Sequence, residues 1–169
     1  DSGLVILSKY PIIKRSVMTY SGCTGFDCFS RKGALYVRIR VPGIGDIDVY
    51  ATHTNAGGSD SIRLSQIDQF IKFVKRHSGD GERPAFFAGD FNATPDSAEM
   101  KRFRDELGLR DSYAEVNEAN ADPIVRDGFT CDGDRNGYLK ARGEKRRARI
   151  DYVLYRQSRT LRVAAKASK

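Results

Sequence analysis

Apolar and polar residues alternate from Ala34 to Val41, with Leu35, Val37, Ile39 and Val41 on one side and Tyr36, Arg38 and Arg40 on the other. A period of two predicts a half-buried strand, because successive side chains leave opposite faces. Pro42-Gly43-Ile44-Gly45 supplies a turn. The alternation resumes at Ile47, Val49 and Ala51 and ends at Thr52-His53-Thr54-Asn55, which predicts an antiparallel pair. Upstream, Leu4-Val5-Ile6-Leu7-Ser8 reads as a strand stopped by Lys9-Tyr10-Pro11, and residues 19–33 read as a loop. Beyond Asn55 the period becomes helical. Ile67, Phe70, Ile71 and Val74 form a buried stripe, with Lys72, Lys75 and Arg76 opposite and Ser59 or Asp60 as N-cap.

Ala85-Phe86-Phe87-Ala88 is a continuous apolar run, suited to a strand covered on both faces. Gly89 then removes the side chain where something approaches closely. If the strand continues, Asp90 and Asn92 leave one face together, a carboxylate beside a carboxamide. Both are also common turn residues. Thr94-Pro95 predicts a helix start, with Thr94 capping and Pro95 at the first position. Met100, Phe103 and Leu107 share one side of that helix, and Gly108 stops it. Residues 114–149 read as mostly irregular and polar, Ile150 to Tyr155 as a strand, and Leu161-Arg162-Val163 as the start of another. Alternating strands with two intervening helices indicate a mixed α/β fold over residues 1–169 as a single domain. No Gly-x-Gly-x-x-Gly follows a strand, which argues against a doubly wound dinucleotide-binding fold.

Composition narrows the partner. A formal net charge of +7 on 169 residues favours an anionic one: nucleic acid, an anionic membrane surface or a phosphate ester. No apolar run is long enough to span a membrane. Cys23, Cys28 and Cys131 lack the paired spacing of a zinc site. Cys23 and Cys28 suit a short bridge in an oxidising compartment or free thiols, with free thiols slightly preferred. The chain opens on Asp1-Ser2-Gly3 and enters an apolar segment at once, an abruptness that suggests a missing upstream part.

Polar groups cluster at strand ends. His53 and Asp90 each follow an apolar strand, and Asp151 interrupts Ile150 to Leu154, where a carboxylate is costly without a partner. Taken singly, His53 reads as a backbone-bonded histidine and Asp151 as one half of a salt bridge to a nearby arginine. Together they suit a phosphodiester: an acid to activate water, and a histidine and amide to stabilise phosphoryl oxygens.

The motifs GLVILSKYPI (residues 3–12), ATHTNA (51–56), Arg63-x-x-Gln66, GDFN (89–92) with Pro95, LRDSY (109–113) and RIDYVLY (149–155) occur in that order. In this they resemble the endonuclease/exonuclease/phosphatase superfamily, and most of all its neutral sphingomyelinases. Ser30-Arg31-Lys32-Gly33 before a strand is similar as well. The resemblance implies a four-layer αββα sandwich with the site at one mouth of its sheets, and a divalent cation, usually magnesium. It implies that Asp90 acts on the attacking water, Asn92 holds the scissile phosphate, His53 stabilises charge on it, and Asp151 orients a catalytic histidine. It also places the metal-binding glutamate upstream of Asp1 and a Ser-Asp-His segment after Val163, and neither is in this sequence. The expectation is therefore an incomplete domain, inactive as it stands, with the metal ligand unknown.

His77 reads as a solvated helix-end residue, favourable to the dipole when protonated, and Lys32 as a surface lysine, with approach to a substrate phosphate as its functional alternative. The basic run from Lys140 to Arg149 reads as a solvated loop, with contact to lipid headgroups or nucleic acid as the functional alternative. The leading function is a metal-dependent phospholipase C on sphingomyelin, secreted or peripheral to a membrane, releasing ceramide and phosphocholine. The alternatives are a metal-dependent nuclease of the same superfamily and a non-catalytic binding module.

Overall fold

The computed structural model describes residues 3–57, 60–79 and 81–166. Six strands form one sheet: β1 (Ile12–Thr19), β2 (Gly33–Val41), β3 (Gly45–His53), β4 (Ala85–Asp90), β5 (Arg110–Asp111) and β8 (Asp151–Arg156). Their order is β1-β2-β3-β4-β8-β5. Only β3 and β4 run parallel, because α1 (Asp60–Ser78) carries the chain back between them. The other pairs in this sheet are antiparallel. After β4 come α2 (Ala98–Leu107), α3 (Ser112–Asn117), α4 (Pro123–Asp127), β6 (Cys131–Asp132), α5 (Gly137–Ala141) and β7 (Arg147–Ala148). Strands β6 and β7 make a separate two-stranded sheet.

The core lies between this sheet and the helices α1 and α2. Tyr36, Tyr50, Phe87, Tyr152 and Leu154 from the strands meet Ile67, Phe70, Val74, Met100, Phe103 and Leu107 from the helices. Both helical stripes predicted from periodicity are therefore the buried faces. Tyr50 stacks on Phe87 and Phe70 on Phe103, each at 5.0 Å between ring centroids. The opposite sheet face is more open, with Val17 and Val153 exposed. The main sheet and its helices make two of the four layers expected.

Several elements depart from expectation. Residues 4–8 form no strand; the first strand is β1, whose sequence IIKRSVMT is mostly exposed and carries no clean period of two. In β2 the side of Tyr36 and Arg38 faces the helices, not the more apolar side, and Val37 and Ile39 are buried too. Arg38 tolerates burial because Asp48, its cross-strand neighbour, accepts from Nε at 2.7 Å and Nη2 at 3.1 Å. Asp48 also accepts from the hydroxyls of Tyr36 and Ser78, at 2.9 and 2.5 Å. That network ties the end of α1 to the β2–β3 hairpin.

Thr94 does not cap α2. Ser97 does, accepting from the Met100 N–H at 3.3 Å, while Thr94 to Ser97 form a turn closed by Ser97 N–H to Thr94 O. Gly108 ends α2 in the left-handed conformation, as expected. His77 is half-buried rather than fully solvated: it stacks on Tyr36 at 4.5 Å, and burial, then Arg76, keeps its pKa below the usual value. Short helices and the β6–β7 pair occupy much of residues 114–149, and residues 161–163 form no strand. Cys23 and Cys28 are disulfide-bonded, with Cα atoms 5.2 Å apart, and Cys131 is free. The preference for free thiols is thus overturned, because a short 3₁₀ helix at Gly25–Phe29 folds the loop back on itself. Ser59, one of the two proposed caps, lies outside the described residues, and Asp60 is the first residue of α1.

Candidate active site

Sheet register assembles the site. His53 ends β3 and is the parallel partner of Asp90, which ends β4; Asp90 is in turn the partner of Asp151, which begins β8. On the other side of β3, Gly33 is the partner of His53, so Lys32 arrives at the same sheet end. Gly89 makes the close strand approach possible. Its φ is +151°, and a Cβ there would sit 2.0 Å from the Thr52 carbonyl oxygen on β3.

Lys32 is the residue that sequence reasoning misplaced. It is 7% exposed, and its Nζ lies 2.6 Å from His53 Nε2 and 3.3 Å from Asp27 Oδ1. An ammonium can only donate, so His53 Nε2 accepts and the ring proton is assigned to Nδ1. A readable signal existed. With Val41 opposite Gly45 across a three-residue turn, Pro42–Ile44, counting back places Gly33 opposite His53, and hence Lys32 beside it.

His53 Nε2 is also 3.5 Å from Asp90 Oδ2. Burial, then the charge of Lys32, holds the His53 pKa below its usual value, so the neutral ring is favoured. Asp90 is pushed the other way. Burial raises its pKa against the bond from the Asn92 N–H, and the charge of Asp151 raises it further. Asp27 lies below the usual carboxylate range: burial pushes it up, but the Ala56 N–H and Lys32 outweigh that.

Asn92 does not extend the strand. β4 stops at Asp90, and Asn92 adopts φ +48°. Its N–H closes a turn onto Asp90 Oδ1 at 2.8 Å, while its Nδ2 donates to the Thr54 carbonyl at 3.1 Å. The turn reading of Gly-Asp-x-Asn holds, and that turn fixes the carboxylate beside His53. Thr54 is fully buried and donates through its N–H to the Asp90 carbonyl at 3.1 Å. The strand ends at His53 and Asp90 are therefore locked together through backbone as well as side chains.

Asp151 is exposed at the start of β8 rather than buried within an apolar strand. The arginine expected beside it, Arg149, pairs instead with Asp111 at 2.8 Å. Asp151 lines a cleft of about 730 Å³ with Tyr113, Phe129, Thr130 and Val153. Among the described residues, no three His, Cys, Asp or Glu side chains cluster in a way that could hold a metal ion. The basic run divides. Lys140, Lys145 and Arg146 are exposed, whereas Arg147 pairs with Asp132 at 3.4 Å and Arg149 is buried.

Chemically the site is a buried lysine and a histidine whose neutral form is favoured, facing a carboxylate of raised proton affinity, at one end of an α/β sheet. That is a place for an anionic oxygen and a water. The sequence matches the Endonuclease/Exonuclease/phosphatase family over residues 1–167, and the chain belongs to that family. It is 30% identical over 125 residues to a sphingomyelinase of Mycobacterium tuberculosis, a match covering 73% of this chain and 25% of the relative. Beta toxin 275–280 from Staphylococcus aureus superposes with a TM-score of 0.70 at 26% identity, covering 88% of this chain and 51% of that one. A Staphylococcus aureus beta toxin F277A, P278A mutant with bound magnesium ions shares the fold, with a TM-score of 0.63 at 22% identity. That match covers 88% of this chain and 50% of the other. The chain thus spans a quarter of the mycobacterial relative and about half of the solved structures. Among the described residues no helix is long and apolar enough to cross a membrane.

Proposed function

We propose that this protein is a phosphodiester hydrolase of the phospholipase C type, acting on a choline phospholipid, sphingomyelin foremost, and releasing ceramide and phosphocholine. The observation that carries this reading is the convergence of Lys32, His53, Asp90 and Asn92 at one sheet end. The likeness to a sphingomyelinase supports the choice of lipid.

In this reading Asp90 takes the proton of the attacking water. Its raised proton affinity makes it a stronger base than a free carboxylate, and it is held by the Asn92 N–H. Lys32 has three donors. Two are directed at His53 and Asp27, leaving one for a phosphoryl oxygen. His53 meets charge on the phosphate by holding the Lys32 ammonium in place, and the second N–H of the Asn92 amide meets it directly, where fixed donors cost no reorganisation. Asp151, exposed beside Asp90, is the acceptor that orients a histidine.

A magnesium-bound beta toxin supports a divalent cation, which supplies Lewis-acid charge when bound. The described residues do not form that site themselves: Asp90 and Asp151 are strand neighbours but stand without a third acidic ligand. No step here depends on it. The Cys23–Cys28 disulfide supports an oxidising, extracytoplasmic setting.

The test uses the natural protein that carries this sequence. It is assayed with magnesium on sphingomyelin vesicles and, separately, on duplex DNA. Phosphocholine release without DNA cleavage is expected. DNA cleavage alone favours the nuclease reading, and neither product favours a binding module.

A further inference from the structure

Two phenylalanines stand almost wholly in solvent beside the site: Phe26 at 92% and Phe29 at 88% exposure. They sit on the 3₁₀ helix Gly25–Phe29. In a 3₁₀ helix the side chains at i and i+3 eclipse, so the two rings share one face. The loop is not loose. Cys23–Cys28 closes it. Thr24 donates to Asn55 Oδ1 at 3.2 Å and to the Gly57 carbonyl at 3.0 Å, and Asp27 Oδ2 accepts from the Ala56 N–H at 2.5 Å. The fold therefore holds two large apolar rings outward by bonds on the opposite side of the same helix. Exposed apolar surface presented on purpose marks an interaction site.

We propose that Phe26 and Phe29 form a membrane anchor that inserts into the interfacial region of a lipid bilayer. Charge complementarity selects this occupant: Arg31 is exposed two residues on, and the chain carries +7 overall. That suits an anionic surface, where basic side chains add electrostatic attraction to apolar insertion. Position supports it too. Asp27, between Phe26 and Cys28, lies 3.3 Å from Lys32, which touches His53. Inserting the rings brings the headgroup layer to the mouth of the site, so a lipid phosphodiester reaches Lys32 with its chains still in the bilayer. The inference deepens the phospholipase reading and rests on it for that last consequence, but the anchor itself is testable without activity.

Residues 1–169 carry no tryptophan, so Phe26→Trp and Phe29→Trp, made in the natural protein and read as the difference from the unsubstituted protein, place a fluorescent reporter on this loop. Vesicles of equal parts phosphatidylethanolamine and phosphatidylglycerol carry no choline lipid and separate binding from hydrolysis. Expected are a blue shift on adding vesicles and quenching by brominated acyl chains. Phe26→Ala and Phe29→Ala each weaken partitioning roughly tenfold, from the apolar area no longer removed from water. Both keep the wild-type circular dichroism. Unshifted tryptophan emission, or wild-type partitioning of the double alanine variant, overturns the anchor. So does a dimer in sedimentation that the double variant dissociates, because the face would then belong to a second copy. Wild-type partitioning of the double alanine variant with sphingomyelin hydrolysis by the natural protein intact refutes only this inference. Intact partitioning with no hydrolysis by the natural protein refutes only the phospholipase reading.

Discussion

Replacing Asp48 by alanine tests how the fold holds the site in register. Asp48 is fully buried and accepts four hydrogen bonds, two from Arg38 and one each from Tyr36 and Ser78. Its loss leaves a buried guanidinium without its counter-charge and strands the Tyr36 hydroxyl, while Ser78 keeps its bond to Tyr50. Breaking one side of a buried pair costs about 3–5 kcal/mol, because the remaining charge is left uncompensated. For a chain of this size each kcal/mol moves Tm by roughly 2–4 °C, so the expected drop is about 6–20 °C. The same hairpin supplies its own control. Arg40 and Asp46 are the next cross-strand pair of the same chemistry, bonded at 3.0 Å, but the Arg40 side chain is 63% exposed. Exposed pairs contribute about 0–1 kcal/mol, so Asp46→Ala moves Tm by at most roughly 4 °C. Thermal melts followed by circular dichroism compare the two. Equal shifts would refute the argument from burial. A double variant, Arg38→Met with Asp48→Leu, recovers much of the loss, since an apolar pair removes the unpaired charge rather than leaving it.

Further outcomes follow from the site. Lys32→Met raises the His53 pKa, because the charge that lowers it is gone while Asp90 remains 3.5 Å away; an NMR titration of the two histidines reads this directly. An unmoved or lowered value contradicts the Lys32–His53 contact. The His53 and His77 pKa values lie below the usual 6.5 in the folded state. The unfolded chain therefore binds more protons near and below that pH. Their share of stability is present above about 6.5 and is lost as pH falls, so Tm drops between about pH 7 and pH 5. Asp90 acts with the opposite sign: its share is full below 3.8 and fades as pH rises through its higher folded value. A Tm that rises on acidification from pH 7 would contradict the histidine assignment. Asp151→Ala in the natural protein lowers kcat strongly with KM and Tm little changed, because Asp151 is exposed and acts through orientation. A fall in Tm with unchanged kcat per folded molecule would return it to a structural role.

The parts of the fold governed by period were legible in the sequence. Alternation gave β2 and β3, helical spacing gave the buried stripes of α1 and α2, and Gly108 gave the end of α2. What escaped depended on pairing across the chain. β1 carries two adjacent charges, Lys14 and Arg15, and acquires its identity only by pairing with β2. The face of β2 was misread because Arg38 counts as polar until Asp48 neutralises it in the interior. The same limit governs the site. His53, Asp90 and Asn92 were visible as candidates from the motif order, and register does bring His53, Asp90 and Asp151 to one end of the sheet. Lys32 reads as a surface residue because lysines are rarely buried unless paired. Its partners, Asp27 and His53, lie five and twenty-one positions away along the chain, beyond any local pattern. Asn92 read equally as a strand or a turn residue, because nothing in Gly-Asp-Phe-Asn fixes a positive φ before the turn is built.

Hydrolysis by the natural protein and its Asp90→Asn variant, on sphingomyelin vesicles with magnesium, tests the central claim most directly. Asparagine keeps the size of the side chain and an acceptor for the Asn92 N–H, so the fold and the Tm should hold. Losing the positioned base lowers phosphocholine release by about 10²–10⁴-fold. Release at close to the wild-type rate, from a variant that melts normally, would contradict the assignment of Asp90 to the attacking water.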